Sequence, residues 1–284
     1  TLDQAALYVG GGGGGAGLSL ISVNGGTLTI GGVGLAATNS AVYVDQFNFH
    51  LLGISGGGDA SLGNSLLTAG DSRIAFEDSL VVITGTGSSL TGTSSQPLMS
   101  FSGSNVYSDG SLVDVGATMS LAGPLLDAGD SVISTESDLF RISGTGASFS
   151  STTGTPLVSL LNSPLAMLDG GFLSLGSNTS FSVRSGLLSA IGSPVFGSGD
   201  PVLDICCGGH TFTQTVSSAP LVSLQQSPLL ISSEFWGLDD GTYSLTGPLL
   251  SATDSPIMGI SAFLDACCGP MSLTSASGDP FITL

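Results

Sequence analysis

Pro156-Leu157-Val158-Ser159 is echoed by Gly186-Leu187-Leu188-Ser189, by Pro220-Leu221-Val222-Ser223 and by Pro248-Leu249-Leu250-Ser251. The same element begins at Pro97 and Pro124. Ser40-Ala41-Val42-Tyr43 and Ser65-Leu66-Leu67-Thr68 read as earlier copies, and Pro280-Phe281-Ile282-Thr283 as a last one. From position 40 to position 280 there are eight intervals in 240 residues, a mean period of 30 with individual spacings of 25 to 34. Insertions at turns produce such unevenness, and a period of this size marks a stacked repeat.

Two further elements recur inside each period. One runs through Leu80-Val81-Val82-Ile83, Leu112-Val113-Asp114-Val115, Leu139-Phe140-Arg141-Ile142 and Phe172-Leu173-Ser174-Leu175, and continues to Phe263-Leu264-Asp265-Ala266. The other alternates, as in Met119-Ser120-Leu121, Phe181-Ser182-Val183 and Tyr243-Ser244-Leu245. Short apolar runs bounded by Gly, Asp, Ser and Pro are strand signals, and no stretch sustains a helical spacing. Three strands per repeat bury no core alone, but stacked on their neighbours they enclose one. Crossovers between parallel strands are overwhelmingly right-handed. The expected fold is therefore all-β: a right-handed parallel β-helix, or β-solenoid, of about nine coils of ~30 residues with three strands per coil.

One elongated domain over 1–284 is expected: a Gly-rich N-terminal coil at 1–39, regular coils over 40–279 and an incomplete terminal coil at 280–284. A second proline column, in Ser163-Pro164, Ser193-Pro194, Ser227-Pro228 and Ser255-Pro256, predicts a stacked corner, because proline donates nothing to a ladder. In repeat architecture the chain resembles parallel β-helix surface proteins such as autotransporter passengers and filamentous adhesins. That resemblance implies a displayed or assembling rod and transfers no functional residue.

Composition narrows the function. The chain has 284 residues, 21 acidic side chains against three arginines, no lysine, a net charge of −18 and 44 glycines. Three arginines cannot neutralise a run of phosphates, so nucleic acid is excluded as a partner. Without lysine there is neither a P-loop nor a Schiff base, which leaves the Gly10–Gly15 run as turn or close-approach backbone. No apolar run reaches the ~18 residues of a transmembrane helix. Mean hydropathy is +0.48, too apolar for a disordered chain. The low charge and the Thr1 start without a leader suit a mature extracellular or cell-surface protein.

Cys206-Cys207 and Cys267-Cys268 follow the second element in the same register two coils apart, roughly 10 Å, beyond the reach of a direct bridge. Vicinal disulfides, bonds to another subunit and free thiols remain the alternatives, and a metal site on Cys206, Cys207 and His210 lacks zinc spacing. His50 and His210 fall about five coils apart, so no shared nucleophilic site is expected. The acids sit mostly at turns, where Asp has a local backbone role. They admit a structural calcium but not the clustered carboxylates of a carbohydrate-active β-helix enzyme. No cofactor and no enzymatic activity are expected. Asn178-Thr179-Ser180 is a glycosylation sequon.

Two interaction surfaces are expected. In the second element the first position is always apolar: Leu80, Leu112, Leu139, Phe172, Val202, Phe235 and Phe263. Strand alternation turns it outward as a lateral stripe, unless the chain folds inward there at a corner. The ends, with Leu7, Tyr8 and Val9 on one and Pro280, Phe281, Ile282 and Leu284 on the other, carry no polar cap, so strand edges are open to addition. The expected function is a structural subunit that stacks on copies of itself into an extracellular filament or surface sheath; a monomeric adhesin-like binding rod is the first alternative and a carbohydrate-active β-helix enzyme the second.

Overall fold

The structure, a computed structural model, describes residues 1–10, 18–45, 49–205, 208–216, 218–266 and 269–284. Among these residues there are 37 strands and no helix. The strands form four parallel sheets, one of ten strands and three of nine, in which each strand pairs with the equivalent strands of the preceding and following levels. The molecule is a parallel β-solenoid, roughly 40 Å long at the strand spacing of about 4.8 Å.

One level shows the pattern. Val158–Leu161 lies in sheet A, Leu165–Met167 in sheet B, Leu173–Leu175 in sheet C and Ser180–Val183 in sheet D. Sheets A, C and D are the three elements read from the sequence. Sheet B is a fourth strand, where the proline column had suggested only a corner. Ser40-Ala41-Val42-Tyr43 belongs to this sheet, in strand Ala41–Asp45, while the sheet A strand of that level is Leu35–Thr38.

The corner between sheets A and B repeats residue by residue. Gln4, Asn39, Asp71, Gly103, Asp130, Asn162, Gly192, Gln226 and Asp254 all have φ between 46° and 60°. This left-handed conformation is rare for residues other than glycine, asparagine and aspartate, and here it turns the chain from one sheet into the next. In eight of these nine levels the next residue is serine, from Ser40 to Ser255. The Ser163 hydroxyl donates to the Leu161 carbonyl at 2.8 Å and accepts the Ser131 N–H at 3.0 Å; the Ser163 N–H in turn donates to the Ser193 hydroxyl at 2.9 Å. The same exchange links Ser40, Ser72, Ser104, Ser131, Ser193, Ser227 and Ser255. A buried column of serines thereby satisfies main-chain groups that a turn between sheets leaves unpaired.

The interior is apolar and continuous. On sheet D the inward column Phe149, Phe181, Phe212 and Tyr243 stacks level on level, with ring centroids 5.0 Å apart for Phe149–Phe181 and 5.2 Å for Phe181–Phe212. Trp236 meets this column edge-on, 5.6 Å from Phe212 and 5.8 Å from Tyr243. It is fully buried and fills core.

The apolar stripe expected on the outside is inside. Leu80, Leu112, Leu139, Phe172, Val202 and Phe235 are buried, and Phe263 packs partly buried against the same core. The backbone gives the reason. At these corners two successive N–H groups donate to the same neighbouring level, either to one carbonyl (Leu51 and Leu52 to Leu80 O, Phe172 and Leu173 to Val202 O) or to two successive ones (Leu112 and Val113 to Asp138 O and Leu139 O, Leu139 and Phe140 to Gly171 O and Phe172 O). Two consecutive N–H groups pointing the same way break the pleat, so two consecutive side chains turn inward. In sheet A the adjacent pairs Leu98-Met99, which donate to Pro124 O and Leu125 O, and Leu125-Leu126, which both donate to Leu157 O, obey the same rule and are buried too.

Candidate interaction surfaces

Each sheet shows one central outward column to solvent, and the four columns differ. Sheet A presents Thr68, Ser100, Asp127, Ser159, Ser189, Ser223 and Ser251. Sheet D presents Ser61, Thr91, Ser120, Ser150, Ser182, Thr213, Ser244 and Thr274. Sheet C carries Val82, Asp114, Arg141, Ser174, Asp204, Gly237 and Asp265. Sheet B is aromatic and aliphatic except at Ser134: Tyr8, Tyr43, Ala75, Tyr107, Ser134, Ala166, Phe196, Leu230 and Met258.

Sheet B divides along its length. In the first levels the tyrosines stand beside charge. The Arg73 guanidinium lies over the Tyr43 ring at 5.4 Å, and the Tyr107 hydroxyl donates to Asp109 and Glu136, each at 3.2 Å. Burial and these two carboxylates push the Tyr107 phenol pKa upward. Tyr8, Tyr43, Arg73, Ala75, Glu77 and Tyr107 line a groove of about 300 Å³. Farther along, the column flanking Ala166, Phe196, Leu230 and Met258 on one side is Pro164, Pro194, Pro228 and Pro256, and on the other Leu168, Ser198 and Ser232. Those positions carry no charge, and a second groove of about 480 Å³ opens there between Leu168, Phe196, Leu230 and Gly259.

Sheet C and its corner hold the most perturbed carboxyls. Burial lifts the Asp138 pKa to about 6, although the Gly171 N–H and Arg141 pull the other way. Burial, with Asp200 and Glu234 nearby, lifts Asp204 to about 6 as well. Both acids therefore titrate well above the ordinary carboxylate range.

The candidate end residues are placed as follows. Tyr8 is exposed and Leu7 packs partly buried against the core, while Val9 pairs by its backbone with Val44. At the other end Phe281 and Ile282 pack partly buried, Pro280 is exposed, and Leu284 is 76% exposed. Ile282–Thr283 pairs with Leu250–Ser251 in sheet A. Cys206, Cys207, Cys267 and Cys268 lie outside the described residues. The strands preceding them, Leu203–Ile205 and Leu264–Ala266, are separated by Trp236–Leu238.

The His50 Nδ1–H donates to the Ser79 carbonyl, and His210 Nδ1 shares a hydrogen bond with the Thr179 hydroxyl; the two histidines lie in sheets C and D, far apart along the axis. Asn178 is exposed at a turn with φ 56°. Among the described residues no group of three or more His, Cys, Asp or Glu is arranged to hold a metal, and no helix is long and apolar enough to cross a membrane. The chain matches no protein-family model, no curated protein and no solved structure.

Proposed function

We propose that this chain is a structural rod that assembles with copies of itself, end on end, into a filament or sheath outside the cell or on its surface. The observation that supports this reading is the uniformity of the ladders. Sheet A keeps one register from Leu35 through Leu67, Met99, Leu126, Val158, Leu188, Val222 and Leu250 to Ile282 without a slip. Every level offers the next the same row of main-chain donors and acceptors, so a strand of another copy can add by the bonds that join levels within one copy. A contact of this kind does not close on itself and grows linearly.

Electron microscopy with sedimentation of the purified chain tests the proposal. Rods in multiples of roughly 40 Å, lengthening with concentration, are expected; a monomer at every concentration contradicts it. One observation favours a second reading, the displayed binding rod. The groove over Ala75 between Tyr43 and Tyr107, rimmed by Arg73 and Glu77, suits a ligand with both a flat apolar face and polar edges, such as a sugar. Glycan binding lost on Tyr43→Ala would support it.

A further inference from the structure

We propose that the charge-free half of sheet B is a lateral pairing face, and that its occupant is the same face of a second copy. The inference rests on the reading of the molecule as a self-assembling rod and names the surface through which rods associate side by side. Phe196 is 40% exposed, Leu230 42% and Met258 50%, in register on consecutive levels, with Leu168 43% exposed beside them. The other three sheets are internal controls. The same outward position on the same levels is serine in sheet A, Ser or Thr in sheet D, and Asp, Gly or Ser in sheet C. Stacking the solenoid therefore does not call for apolar residues there.

Charge selects the occupant. Two copies bearing −18 each repel wherever carboxylates face one another. The earlier levels of sheet B carry Glu77, Asp109 and Glu136 in the column that Leu168, Ser198 and Ser232 occupy later. Placed face to face, two such halves bring together mainly apolar side chains, with no ionised group among their facing positions, and an isologous contact of this kind is self-complementary. Size sets the strength. Each outward side chain covers about 4.8 by 6.8 Å of sheet, so the eleven positions make roughly 350 Å² per copy. That area is below a standard stable interface, and the contact is weak for a single pair of chains. Along a row of stacked rods it repeats, and avidity turns a weak contact into a durable one.

The test compares wild type with Leu230→Asp, with Ala166→Asp and with the control Ser189→Asp on sheet A, by electron microscopy and sedimentation. All three positions face outward, and circular dichroism checks the fold. Side-by-side pairing is expected in wild type and Ser189→Asp and is expected to be lost in both sheet B variants, which still lengthen. Pairing that survives Leu230→Asp and Ala166→Asp, or that Ser189→Asp abolishes equally, overturns the face. Wild-type rods that lengthen but never pair overturn it too and leave axial stacking standing; pairs that never lengthen support the face and remove the stacking.

Discussion

Ser163 ties three levels together, since it donates its hydroxyl to Leu161, accepts the Ser131 N–H and donates its own N–H to Ser193. Replacing it by alanine strands a buried donor at Ser131. Ser163→Ala is expected to cost about 1–3 kcal/mol, measured by urea unfolding. Ser159→Ala, on the outward column of the neighbouring strand, is expected to stay within about 0.5 kcal/mol. Asp138 carries a pH dependence of the opposite sign to an ordinary ion-paired aspartate. Its folded pKa of about 6 lies above the unfolded value, so the folded state favours the neutral acid. The cost of ionising it is absent below about pH 4, grows to about pH 6 and is complete above that, as also for Asp204. Thermal midpoints are therefore expected to rise as pH falls from 7.5 to 5. Asp138→Asn is expected to raise the midpoint at pH 7.5, keep the Gly171 hydrogen bond and flatten that slope. An unchanged slope contradicts this assignment.

The corner between sheets A and B is an element defined by backbone conformation more than by side-chain identity. Asp130 has φ 51° and Gly192, two levels on, φ 60°. Asp130→Gly is expected to be nearly neutral, whereas Asp130→Val is expected to cost about 1–3 kcal/mol, because a β-branched residue does not enter this region without strain. Equal effects of the two changes, read from unfolding midpoints, would sink that account. This corner also shows what was legible in the sequence. The Ser-Pro column announced a bend, and sheets A, C and D emerged from apolar runs between turn residues. Sheet B did not. Its strands are as short as Ile257–Met258, and in Val195-Phe196 and Leu229-Leu230-Ile231 the outward residue is as apolar as the inward ones, so alternation disappears. The feature that hid the strand is the one that marks its surface. Conversely, Leu139 and Phe172 looked exposed because strict alternation was carried through a corner where two successive N–H groups donate to the same neighbouring level and suspend it. The serine column was visible as Ser163, Ser193, Ser227 and Ser255, but its bonding needs the αL turn, which spacing alone does not reveal.

At the scale of the whole molecule, ladder bonding favours stacking and a charge of −18 at pH 7 opposes it. Screening and protonation both weaken the opposition. Assembly is therefore expected to quicken with added salt and with acidification toward pH 5, followed by light scattering; assembly indifferent to both contradicts an electrostatic brake. The two kinds of contact also run in different directions, the axial one along the ladders and the lateral one across sheet B. The most direct measurement is X-ray diffraction from an oriented specimen of the assembled chain. Strands lying across the filament and repeating along it are expected to give a reflection near 4.8 Å on the meridian. The same reflection on the equator, or none in a well-aligned specimen, would contradict a filament built by stacking solenoids along their own axis.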